Sequence, residues 1–258
     1  LTGYNDDSFF WKAMLGFENA LDRKEMLRNN ALSEVNKLIS EDYGFTFRDW
    51  LHNKVETPIV DSNGDKAMLT HGEICLIIMT AERERRSKYY IEHLTSAGGT
   101  VLDVKYKEKG KMLEAYTHGT KLGGLNAESI AQLRKMLTDY DKRFIVAAEK
   151  IVSTKSELSK AVADTLYKLK HAVMQYSEYY IPENVDKNYI INSGEESLYT
   201  DLRTENLGSL KEVQRKAAQP LILEDLYSVI ARHVEQEANY AAMAIPLRNF
   251  NKIYESQM

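Results

Sequence analysis

Proline is the residue that most reliably interrupts an α-helix, because it lacks a backbone N–H and clashes with the preceding turn. This chain of 258 residues has only four: Pro58, Pro182, Pro220 and Pro246. The long intervals between them leave room for long helices, and the apolar residues recur accordingly. Behind Asp6, Asp7 and Ser8, which suit a helix cap, Phe10, Ala13, Met14, Phe17 and Leu21 follow helical spacing. This predicts a first amphipathic helix from Ser8 to Asn30. After Gly123-Gly124, Ile130, Leu133, Leu137, Tyr140, Phe144, Ala147, Ile151 and Leu158 keep a heptad-like rhythm, which Val162, Leu166, Leu169, Val173, Tyr176 and Tyr180 resume. Thr154-Lys155-Ser156-Glu157 marks a stutter between the two runs and fits a capping box. With no Gly or Pro intervening, the pattern favours one continuous helix from Ile130 to Tyr180, a rod of about 75 Å at a rise of about 1.5 Å per residue. A last helix carries Leu223, Leu226, Ile230, Val234, Ala238, Ala241 and Ile245, and Pro246 either ends it or opens a short helix through Tyr254.

The remaining punctuation is local. Asp61-Ser62-Asn63-Gly64-Asp65 predicts a small hairpin or a bare turn, since Asn-Gly accepts positive φ. Thr70-His71-Gly72-Glu73 matches a capping box and predicts a helix to Ala97, buried all round over Ile74–Ala81 and stopped by Gly98-Gly99. Thr100 to Gly124 reads as a β-hairpin or a loop, and 182–220 as a polar connection with one short helix near Ser209–Ala217. The fold class expected is all-α: an elongated helical bundle with one very long helix and at most a small β-hairpin. Residues 1–258 read as a single elongated domain, divisible into N-terminal helices over 1–68 and a main body over 69–258.

Composition narrows the functions. Thirty-four Lys plus Arg against 38 Asp plus Glu leave a net charge of −4, which excludes a generally nucleic-acid-coating protein. The uncharged run Ile74–Ala81 is far short of the ~20 residues that span a bilayer, so no membrane span is expected. The single cysteine, Cys75, sits in the most apolar stretch and reads as a buried small hydrophobe rather than a nucleophile. Without an initiator Met or a signal peptide the chain reads as a piece of a larger protein, with the cytoplasm as default compartment.

No motif announces a reaction. The six histidines, His52, His71, His93, His118, His171 and His233, form no i, i+4 pair and no His-Glu-x-x-His. Thr70-His71-Gly72 and Thr117-His118-Gly119 repeat a tripeptide, best read as surface or cap residues, and His233 as a hydrogen-bonded structural imidazole. Asp61, Asn63 and Asp65 imitate the start of a calcium loop, but Lys66 and Gly72 stand where its glycine and bidentate glutamate belong. Phosphate-cradling and nucleophile-elbow glycine motifs are missing. The reading is therefore no catalytic residue, no metal and no cofactor.

Binding is the better prospect. From Arg83 to Lys111 eight basic residues face four acids, with Tyr89, Tyr90 and Tyr106 interleaved. Arg85, Arg86, Lys88, Lys105, Lys107 and Lys109 are the candidate phosphate contacts of a nucleic-acid-binding module, weighed against an ordinary solvated helix face. The tyrosines from Tyr176 to Tyr199 lie in an acidic segment and suit packing or a protein partner. Leu137, Tyr140, Phe144, Ile151, Leu169, Val173 and Tyr176 are the candidate packing seam, buried against other helices or in a homodimer.

Several pieces in order carry a resemblance. These are Leu69-Thr70-His71-Gly72-Glu73 opening a helix, a long helix leading to Tyr180-Ile181-Pro182, Leu210-Lys211 and Arg215-Lys216, then Pro220-Leu221-Ile222-Leu223 with Asp225 and His233. Over residues 69–250 the chain resembles a helical segment of the large polyvalent proteins of bacteriophages and mobile elements, although Ile181 stands where an aromatic is expected and the lysine-arginine stretch is looser. The resemblance implies a connector without assigned catalytic residues, within a chain of unrelated domains, some delivered with phage DNA to the host cytoplasm. The expected function is a non-catalytic scaffold or protein-interaction module, with nucleic-acid binding through 83–111 as the alternative.

Overall fold

The computed structural model describes residues 9–86, 92–102, 119–173, 181–182, 184–185 and 220–257. Among them the chain is mostly helical, with two small sheets. In order the elements are α1 (Phe9–Ser40), α2 (Phe45–His52), β1 (Lys54–Val60), β2 (Lys66–Thr70), α3 (His71–Arg86), β3 (Gly99–Leu102), β4 (Gly119–Leu122), α4 (Ala127–Lys135), α5 (Asp139–Val152), α6 (Glu157–Lys170), β5 (Asn184–Val185), β6 (Leu221–Leu223) and α7 (Leu226–Gln257). They divide into two compact units, each assembled from separated stretches: Leu1–Ser40, Val146–Tyr180 and Ile230–Met258 in one, Glu41–Ile145 and Ile181–Val229 in the other. Among the described residues no helix is long and apolar enough to cross a membrane.

The first unit is helical. Helix α1 runs ten residues past the expected Asn30 because Leu32, Val35 and Leu38 continue its buried stripe beyond Ala20 and Leu27. Leu158, Val162 and Leu166 of α6 and Ile230, Val234, Ala238, Ala241 and Ala242 of α7 complete the core. The alanines let backbone approach side chain closely, and Thr165 Oγ1 donates to the Ala241 carbonyl at 3.0 Å. Helices α1 and α7 run antiparallel, with Phe17 edge-on to Phe250 and Lys24 paired to Glu235. Helix α7 continues through Pro246 to Gln257 rather than ending there.

The expected rod from Ile130 to Tyr180 is broken. Its place is taken by α4, α5 and α6, separated at 136–138 and 153–156. The physical cause is capping. Thr138 and Asp141 exchange backbone-to-side-chain hydrogen bonds and start α5, and Ser156, not Thr154, caps α6 by accepting from the Ser159 amide. The seam dissolves with the rod. Tyr140 and Phe144 are buried in the second unit and Ile151 in the first, Leu137 and Leu169 are half-buried, and Val173 is 82% exposed. Tyr176 lies outside the described residues, as do the tyrosine-rich segment and the helix expected near Ser209–Ala217.

The second unit corrects the all-α expectation. Strands β1 and β2 form an antiparallel hairpin across the Asn63-Gly64 turn, with Gly64 at φ 93. Its ladder shifts register between Glu56 and Val60, where Pro58 has no N–H to donate. A second sheet has the order β4-β3-β6-β5, with β3 and β4 antiparallel and β3 and β6 parallel. Strand β6 is the Leu221-Ile222-Leu223 run, too short to separate helix from strand by its own periodicity. Helix α3, buried on every face from Ile74 to Met79, is the centre of this unit. Its described part runs to Arg86; residues 87–91 lie outside the described residues, and beyond them a π-helical turn His93–Ala97, where plain α-helix is expected, stops at Gly98.

Gly98 holds that junction at φ 76, donating to the carbonyls of His93 and Leu94 and accepting from the Leu221 amide at 3.0 Å. A Cβ there would overlap the backbone of Leu122 and Gly123. Gly98→Ala is expected to cost at least about 2 kcal/mol, from positive φ and steric overlap together, read as a lowered urea midpoint.

Candidate functional site

Three helix starts of the second unit come together, and each brings a carboxylate. At α3, Glu73 accepts from the Thr70 amide at 2.7 Å while its own amide donates to Thr70 Oγ1 at 3.2 Å, which completes the capping box. Burial pushes the Glu73 carboxyl above its ordinary value, against the pull of those bonds. At α7, Asp225 accepts from the Ser228 amide at 2.8 Å and the Ser228 hydroxyl at 2.6 Å. At α5, Asp141 is capped onto Thr138. Gly72 is what lets α3 and α7 meet, since a Cβ on it would stand 2.9 Å from the Asp225 Cβ and 3.0 Å from the Trp50 ring. The positive ends of the three helices favour these negative charges.

Asp141 is fully buried and is the hub. Its Oδ1 accepts from Trp50 Nε1 at 2.7 Å; its Oδ2 accepts from the Thr138 amide at 2.6 Å and the Thr138 hydroxyl at 2.8 Å, and faces His71 Nδ1 at 3.0 Å. The Asp141 contact holds the His71 ring through Nδ1 and leaves Nε2 on the other side of the ring. Trp50 is fixed from the apolar side by Phe144, with ring centroids 4.4 Å apart, and by Phe47 and Tyr140. Cys75 is buried nearby, and burial together with the Asp141 charge pushes its thiol up, so it stays protonated. The arrangement orients one half-exposed imidazole and supplies no activated nucleophile beside it.

The basic stretch is arranged differently from a phosphate-binding face. Arg83 is buried and its Nη1 donates to the Ile181 carbonyl at 2.8 Å. Arg85 and Arg86 are exposed, yet both bind Glu82 at 2.5 Å, joined there by Arg134 from α4. Hydrogen bonds from Arg85 above all hold the Glu82 carboxyl at about 2. Lys88, Lys105, Lys107, Lys109 and Lys111 lie outside the described residues, as does His118 of the repeated tripeptide. The Asp61 carboxylate serves its turn, accepting from the amides of Asn63 at 2.8 Å and Asp65 at 3.0 Å. Among the described residues no three His, Cys, Asp or Glu side chains gather to hold a metal.

Asp141, Trp50 and Thr138 escaped the reading of the sequence. A signal was there: Thr138-Asp139-Tyr140-Asp141 is a Thr-x-x-Asp cap, overlooked because Leu137, Tyr140 and Phe144 also fit a heptad. The chain matches no family model, no curated protein and no solved structure.

Trp50→Phe removes one charge-assisted donor from Asp141 and is expected to cost about 1.5–3 kcal/mol in urea unfolding. Glu82 has a folded pKa below its unfolded value, so its contribution is complete above about 4.5 and is lost as pH falls through about 2. Carboxyl NMR should show Glu82 titrating last among the glutamates, and Glu82→Gln should flatten stability over that acid window.

Proposed function

We propose that the chain is a non-catalytic helical module that makes protein contacts within a larger phage or mobile-element protein acting in the cytoplasm. The observation that carries this reading is on α1, which presents an apolar row to solvent in addition to its buried stripe. Trp11, Met14, Leu15, Leu21 and Met26 are each more than a third exposed. Large apolar side chains exposed along one helix, interspersed with charge, suit a protein partner.

Two further features support it. The polar groups with chemical potential are engaged in holding the fold: Asp141 by Trp50, Thr138 and His71, and Glu82 by three arginines. The engagement of Arg85 and Arg86, with Arg83 buried, weighs against phosphate contacts through that helix. Two of the stretches behind the phage-protein resemblance, Leu69–Glu73 and the one that ends at Asp225, also lie side by side. Gly72 packs on Asp225, Arg83 holds the Ile181 carbonyl, and Leu221–Leu223 pairs parallel with Gly99–Val101.

Sedimentation of the chain, alone and mixed with separately produced flanking segments of its full-length protein, tests the reading. Association that is lost in a Leu15→Glu, Met26→Glu double variant of unchanged melting temperature is the expected result. A strict monomer that binds no flanking segment would overturn it.

A further inference from the structure

The turn Glu41–Gly44 ahead of α2 holds its backbone where side chains are disfavoured. Asp42, Tyr43 and Gly44 stand in succession at φ 44, 59 and 79, and only the last has no Cβ to crowd the neighbouring carbonyl. At Asp42 the conformation is offset locally, because its carboxylate accepts from the Thr46 amide at 3.1 Å and from the Thr46 hydroxyl, satisfying the first turn of α2. Tyr43 has no such return. The residue is 98% exposed, and a glycine would hold φ 59 without strain. Strain at a residue that displays a large ring to solvent points to a surface that the ring meets.

Helix α2 continues the display. Phe47 turns inward and packs with Trp50, Phe144 and Tyr227. The opposite face carries Phe45, 66% exposed, with Arg48, Asp49 and, at its far end, His52, all of them exposed. With about 3.6 residues per turn, Arg48 and Asp49 fall on opposite flanks of Phe45. The ion pairs of this region, Glu41 with Arg143 and Asp139 with Lys142, leave both of them out.

An arginine and an aspartate on either flank of one aromatic ring make this face its own complement. Two copies related by a two-fold axis that runs along α2 bring ring to ring in the centre and set each Arg48 against the other copy's Asp49, twice over. We propose that the Tyr43 turn and the outward face of α2 form the contact through which two copies of this chain associate. A polyanion or an acidic peptide would meet Asp49 as a like charge beside Arg48, which disfavours those occupants. The face of one short helix and its preceding turn is smaller than the about 800 Å² per partner that stable complexes bury, so the dimer is weak and depends on concentration.

Sedimentation equilibrium of the full chain at low ionic strength, from micromolar to millimolar concentration, tests this. The wild-type chain should show a reversible monomer–dimer equilibrium. Tyr43→Gly relieves the strain, so it should melt no lower than the wild type and yet associate at least tenfold more weakly, a separation that a merely structural turn would not produce. Arg48→Glu and Asp49→Arg each set like charges opposite one another twice and should weaken association to the same extent. An equimolar mixture of those two variants restores both opposite-charge pairs and should recover it. The Leu15→Glu, Met26→Glu variant should dimerise unchanged, which separates this contact from the α1 row. A monomer throughout the range, or a mixture as dissociated as its components, would overturn the proposal and leave the face to a different partner.

Discussion

A carboxylate without solvent is costly unless its charge is shared among donors, and the second unit is arranged around meeting that demand for Asp141. Trp50 comes from α2, His71 from α3, and Thr138 precedes α5. Each donor is fixed by the segment that carries it, so satisfying one carboxylate specifies how three elements pack. The aromatic rings around Trp50 keep water from competing for the indole N–H. Gly72 extends the arrangement to α7 by admitting Asp225 at van der Waals distance.

The same economy of short-range bonds sets the lengths of the helices. Asparagine, serine and threonine caps at Asn126, Thr138 and Ser156 each satisfy amides that would otherwise be orphaned, and the last two begin helices where the apolar rhythm alone runs on. A cap of this kind contributes only about 1 kcal/mol.

Charge in this molecule is mostly committed locally. Glu82 gathers Arg85, Arg86 and Arg134, Glu41 takes Arg143 with two hydrogen bonds, and Glu34 takes Lys150. Arg85 and Arg86, the described exposed part of the basic stretch, are thus paired with a carboxylate.

The sequence by itself determined the elements whose cause is local. The Thr70–Glu73 cap, the Asn63-Gly64 turn, the all-round burial of Ile74–Met79 and the largely helical character depend on residues within a few positions of one another. Only the tertiary structure decided the pairing of β3 with β6, the burial of Asp141 and the recruitment of Arg134 to Glu82. In each of these the deciding partner is remote or chosen among several equivalents: Leu221 for Gly99, Trp50 for Asp141, Arg134 for Glu82. Periodicity records which face of an element is apolar, but it carries no term for which distant donor reaches which acceptor. That choice is made by the free energy of desolvation when the chain closes.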